Sequence, residues 1–123
     1  MNNNELEQYA QSISNDITTR RNIKPIVIQV KNIPRGHARI RTRSASIPKW
    51  AYTSHNLEHF TYYVIHEVTH FITGYYHDNN FKQTEIYELS LWNLTIEYKR
   101  AYPNKLYAAG EVCYTTERHK IRL

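Results

Sequence analysis

The sequence predicts an α+β fold in a single domain. Apolar residues recur at helical spacing near the start of the chain and again from residue 57 onward. Between those segments, residues 25 to 43 alternate with a period of two, and proline and glycine separate the two kinds of pattern. At 123 residues the chain is long enough to bury one core without disulfide staples.

Leu6, Tyr9, Ala10, Ile13 and Ile17 define the first helix, for which Asn4 is a cap and Glu7 completes a box-like pattern. Arg20 to Lys24 is a polar break. Pro25 to Val30 reads as a strand, with Ile26, Ile28 and Val30 on one face. Ile33-Pro34-Arg35-Gly36 is a turn. His37 to Arg43 is a second strand, which places His37, Arg39, Arg41 and Arg43 in one row. Ser44 to Tyr52 is extended and contains Pro48, which cannot donate to a ladder, so it reads as an edge strand or loop.

Thr53-Ser54-His55-Asn56 supplies capping groups for a helix over Leu57 to Thr73, with Leu57, Phe60, Val64, Val68 and Phe71 as its stripe. Gly74 stops it. A second long helix runs from Asn79 or Asn80 to about Ala101, burying Phe81, Leu89, Trp92 and Ile96, and Pro103-Asn104 ends it. A short strand is expected near Val112 to Thr116, and residues 118 to 123 read as a frayed tail of the domain, which spans 1–123.

Composition excludes several classes. Hydrophobic residues at 41% and charged residues at 22% argue against global disorder. No apolar run approaches the roughly 18 residues of a membrane span. Met1 to Glu7 is polar and acidic, unlike a secretory signal. A single cysteine, Cys113, forms neither an intramolecular disulfide nor a four-cysteine zinc cluster. These features fit a cytoplasmic or other intracellular protein. The net charge of +5 is uneven: Ile17 to Leu57 holds nine basic residues and no acid. A basic half of this kind suits a polyanion, an acidic partner or simply solvent. Arg39, Arg41 and Arg43, near Lys31 and Arg35, are candidate phosphate or substrate contacts, and Trp50, Tyr52 and Tyr62 are candidates for base stacking.

The chemistry rests on His66-Glu67-Val68-Thr69-His70. Two histidines at i and i+4 on a helix point the same way and can share one metal ion. Glu67 sits about 100° round the helix, where it reaches a water on that metal. This is the zincin arrangement: two imidazoles on zinc and a carboxylate as general base, with the metal acidifying the water and polarising a scissile carbonyl. A catalytic zinc needs a third protein ligand. His77, beyond the Gly74 stop, is the first candidate; Glu85 and Glu88 compete from the following helix. Asp78 can cap that helix or orient a ligand imidazole. His59, two turns before His66, lines the cleft or belongs to the surface or core. Tyr98, Tyr102, Tyr107, Tyr114 and the late arginines are all candidates to stabilise an oxyanion.

The run HEVTHFITGYYHDNNF resembles the signature of the SprT-like and WLM minimal zinc metallopeptidases at His66, Glu67, His70, Gly74, His77, Asp78 and Phe81. The resemblance implies a minimal zincin-like fold: an N-terminal helix, a small mixed sheet and an active-site helix followed by a second long helix. It implies one catalytic Zn2+ on His66, His70 and His77, with Glu67 as catalytic base, and a protein or peptide substrate. It also implies that an edge strand, here Ser44 to Tyr52, receives substrate main chain. Some of these relatives act on proteins attached to DNA, so nucleic acid is a candidate partner. The gap from Gly74 to His77 is one residue longer than usual, through Tyr75-Tyr76, and no cysteine-rich ribbon follows. The metzincin scheme fits less well, since the only methionine is Met1. The alternative function is a non-catalytic zincin-fold binding protein that holds nucleic acid or an acidic partner on its basic half.

Overall fold

A computed structural model describes residues 1–98, 105–108 and 111–114. Helix α1 spans Asn3–Arg20 and has a reciprocal capping box. The Asn2 side chain accepts from the Glu5 N–H at 2.8 Å, and the Glu5 carboxylate accepts from the Asn2 N–H at 2.9 Å. The cap therefore lies two residues before Asn4. Glu7, which the sequence assigned to the box, instead accepts the Val30 N–H at 2.9 Å. Gln11 takes the Ile28 N–H and donates to the Ile26 carbonyl.

Those bonds from α1 close the outer edge of β1 (Val27–Lys31). Its other edge pairs in parallel with β3 (Ser44–Pro48), which pairs antiparallel with β2 (His37–Arg39). The sheet is mixed, in the order β1-β3-β2. The expectation that Ser44 to Tyr52 forms an edge strand is corrected: its strand part is the central one, with Ala45, Ser46 and Ile47 buried. Pro48 is its last residue, and the Lys49 N–H carries the contact onward to the Lys31 carbonyl. Trp50 and the wide helical turn Ala51–His55 follow. The expected strand from His37 to Arg43 also shortens. It stops at Arg39, and residues 40–43 turn, with Arg43 at φ 53°.

Helix α2 spans Leu57–Thr73, as its signals predict. Asn56 caps it, accepting the His59 N–H at 2.8 Å. Gly74, at φ 107°, ends it in a conformation that a side chain would strain. Every residue of α2 from His59 to His70 is buried, so this helix is the centre of the molecule. The core joins Leu6, Ala10, Ile13 and Ile17 of α1 to Ile28, Val30, Ala45 and Ile47 of the sheet and to Phe60, Val64, Ile65 and Val68 of α2.

Helix α3 spans Asn79–Ser90, capped by Asp78, which accepts the Phe81 N–H at 2.9 Å. The extension expected to about Ala101 is not helical over the described residues 91–98, and residues 99–101 lie outside the described residues. A turn through Asn93, at φ 57°, leads into β4 (Leu94–Glu97). Trp92 and Ile96 fit helical spacing, but Leu94 and Ile96 equally fit strand alternation. Strand β4 pairs antiparallel with β5 (Lys105–Ala108), and β5 with β6 (Glu111–Tyr114). Strand β6 matches the start of the strand expected near Val112. Thr115, Thr116, Pro103-Asn104 and residues 118–123 lie outside the described residues. No helix among the described residues is long and apolar enough to cross a membrane.

Candidate metal centre

His66 and His70 lie on one face of α2 and are 2% and 7% exposed. Gly74 turns the chain sharply, and Tyr75-Tyr76 complete a return that brings His77 to the same point. Ligand atoms of His66, His70 and His77 all lie within 4.8 Å of one another. Nε2 of His77 and Nε2 of His70 are 3.2 Å apart. A tetrahedral zinc with bonds of about 2.0–2.1 Å separates its ligand nitrogens by about 3.3 Å. The His70–His77 spacing fits such an ion, and the His66 ligand atom lies within 4.8 Å of both.

The back nitrogens are held. His70 Nδ1 is 2.9 Å from the Gly74 carbonyl. A carbonyl only accepts, so Nδ1 carries the proton and Nε2 keeps its lone pair. His66 Nδ1 lies 2.6 Å from Oε2 of Glu85 and 3.1 Å from the Tyr62 hydroxyl. Glu85 is wholly buried, and the Tyr98 hydroxyl donates to its other oxygen. Burial first, and then the Glu85 carboxylate, push the Tyr98 phenol well above its ordinary value, so it stays a donor.

These contacts place the two alternative ligands. Glu85 orients His66 from behind and does not join the group of ligand atoms, a support that metal-bound histidines commonly have. Glu88 is one turn further along α3 and is occupied elsewhere: Arg20 and Arg21 donate to it at 2.5 and 2.7 Å. The sequence places both acids on α3, but their partners come from the end of α1, from α2 and from Tyr98 after β4, which spacing along the chain does not reveal.

Glu67 is 5% exposed and faces a cleft of about 320 Å³ lined by His66, His70, His77, Arg35, Gly36, His37, Ala38 and Tyr75. A Cβ on Gly36 would lie 2.6 Å from Glu67 Oε2, so the carboxylate rests directly on the glycine. Strand β2 forms one wall. Its inner edge pairs with β3, and no strand covers its outer edge among the described residues. The open sheet edge beside the site is therefore β2, in place of the expected Ser44 to Tyr52.

The oxyanion candidates separate. Tyr98 serves Glu85, and Tyr107 donates to Glu97 at 2.8 Å. Tyr102 and the late arginines lie outside the described residues, as does the side chain of Tyr114. Tyr75 lines the cleft and was missed; its hydroxyl accepts the Ile40 N–H at 3.2 Å. Its position between Gly74 and His77 is the one sequence signal that could have marked it.

The expected basic row is not assembled. Arg39 donates to the Ser44 and Ser46 hydroxyls, Arg43 to the Lys24 and Pro25 carbonyls, and only Arg41 of the three is left in solvent. Tyr62 is buried, and Trp50 packs against His55, His59 and Tyr63, so the stacking platform is not assembled either. His59 is a core residue with no exposure, stacked on His55 at 4.2 Å, and neither ring nitrogen has a hydrogen-bond partner. No family model, curated protein or solved structure matches this chain.

Proposed function

We propose that this chain is a zinc-dependent peptidase with a minimal zincin-like fold. The observation that carries the reading is the convergence of three imidazoles on one point, beside a buried carboxylate that rests on a glycine at the wall of an open cleft. His66, His70 and His77 would hold the metal. Zinc, when bound, supplies Lewis acidity that acidifies water and polarises a carbonyl. Glu67 takes the proton of the attacking water and returns it to the leaving amine, so it acts first as base and then as acid. The substrate main chain lies along the open edge of β2, where strand addition gives affinity without reading sequence. Tyr75, on the cleft wall, donates to the developing oxyanion.

A protein that only stores or displays zinc has no use for a buried carboxylate beside three histidines and an open cleft, since structural zinc sites are closed by four protein ligands. Glu67→Gln tests the difference. The variant keeps its zinc and its thermal midpoint and loses peptide hydrolysis by about 10²–10⁴-fold, the usual contribution of a general base. Hydrolysis that continues unchanged in this variant contradicts the mechanism.

A further inference from the structure

The arginines of the basic half divide by what their guanidinium groups touch. Arg20 and Arg21 hold Glu88. Arg39 holds two serine hydroxyls, and Arg43 holds two carbonyls and lies over the Phe71 ring. Arg35 and Arg41 make no hydrogen bond or ion pair among the described residues, and of these two only Arg35 lines the cleft.

The backbone around Arg35 is fixed on both sides. The Trp50 indole N–H donates to the Pro34 carbonyl at 3.0 Å. Gly36 is in contact with the Glu67 carboxylate and would clash with it if it carried a Cβ. Arg35 is therefore anchored next to the glycine on which Glu67 rests, with its charge free to meet a ligand. His37 is the next lining residue and is exposed. Among the described residues the only acid on the cleft wall is Glu67, whose position against Gly36 is already set.

We infer that Arg35, with His37 beside it, selects peptides carrying an aspartate or glutamate next to the scissile bond. The inference rests on the peptidase reading in one respect: it takes the cleft as a peptide site. A guanidinium fork matches a carboxylate with two parallel hydrogen bonds, which a glutamine or asparagine side chain cannot return. Arg35 is solvent-exposed, so screening holds the discrimination to about two- to fivefold.

The test uses the full chain with zinc and Glu67→Gln, so that peptide is bound and not consumed. Two fluorescein-labelled peptides, Gly-Ala-Ala-Glu-Ala-Ala-Gly and the same peptide with glutamine at the centre, are titrated by anisotropy. The glutamate peptide binds about two- to fivefold tighter. Adding Arg35→Gln removes the difference, and adding Arg41→Gln, outside the cleft, leaves it. Equal affinity for the two peptides, no binding of either, or a preference that survives Arg35→Gln overturns the inference. Arg35-dependent binding of a single-stranded oligonucleotide without any peptide preference overturns it too. Wild-type cleavage of the same pair is followed separately by mass spectrometry. Cleavage without acid preference leaves the peptidase reading standing and removes the specificity. Acid-selective, Arg35-dependent binding without cleavage does the reverse.

Discussion

Gly36 and Glu67 constrain each other. An alanine at 36 would press its Cβ to 2.6 Å from the carboxylate oxygen and 3.1 Å from the Ser46 carbonyl. The carboxylate can move and the carbonyl cannot, so the cost falls on the position of Glu67 more than on folding. Gly36→Ala is expected to lower kcat by about 10²-fold, the effect of a misplacement near 1 Å. Its thermal midpoint and zinc content stay close to wild type. An unchanged kcat would show that Glu67 does not need this glycine. His59 makes a second prediction at the same scale. Burial, and then the neighbouring His55, lower its pKa to about 3 from an ordinary value of 6.5. His55, Trp50, Tyr62 and Tyr63 surround the ring, with no acid among them. In the unfolded chain the ring takes a proton near pH 6.5, and in the fold it stays neutral down to about 3. Its contribution is therefore intact above pH 6.5 and is lost as pH falls through that window. The loss is at most about 1.4 kcal/mol per pH unit. Urea unfolding at pH 7, 5 and 4, with a chelator present, reads it. His59→Phe keeps a ring, removes two unpartnered nitrogens and flattens the acid slope. An unchanged slope would place the acid sensitivity elsewhere.

Helix α3 works as a tie with two acidic ends. Glu85 faces α2 and orients His66, and Glu88, three residues on, faces α1 and takes Arg20 and Arg21. The two acids differ in what their loss does. Glu85→Gln keeps the fold and weakens zinc binding by about 10–100-fold, measured by competition with a chelator. Unaltered affinity would mean that the contact to His66 is incidental. Glu88→Gln leaves zinc affinity alone and destabilises the fold. Glu88 is fully buried but its two arginines are about one-third exposed, so the cost is screened to about 1–3 kcal/mol in urea unfolding. The elements themselves were unevenly legible in the sequence. Helix α2 was readable to the residue because its cap and its stop, Asn56 and Gly74, are local. The cap of α1 was misplaced because Asn2-Glu5 and Asn4-Glu7 have the same spacing, and the choice between them is made by Val30 across the sheet. Pro48 suggested an edge, yet a proline at the last residue of a central strand interrupts little. Strand order is set by which layers pack together, and no local pattern states it.

The same division holds for the molecule as a whole. His66, Glu67 and His70 are legible because helix geometry alone aligns them, and His77 because Gly74 forces a turn. Gly36, Tyr75 and the supporting role of Glu85 are not legible, because each depends on contacts made across the fold. The charge of +5 reads as a basic half in the sequence, and among the described residues the fold draws part of it into internal contacts. Arg20, Arg21, Arg39 and Arg43 act as internal ties, and among the described arginines only Arg35 brings free positive charge to the cleft. A site assembled from α2 and the following loop exists only in the folded chain. Zinc binding is then linked to folding, and metal at 100 times its dissociation constant adds about 2.7 kcal/mol. For a domain of this size the thermal midpoint rises by about 10 °C in wild type. His70→Ala gains none of it.

We propose that His66, His70 and His77 form one zinc site. Zinc per chain, by inductively coupled plasma mass spectrometry after reconstitution at neutral pH, tests it most directly. About one zinc is expected in wild type and close to none in His66→Ala, His70→Ala and His77→Ala. No zinc in wild type, or a full equivalent retained in His77→Ala, would contradict it.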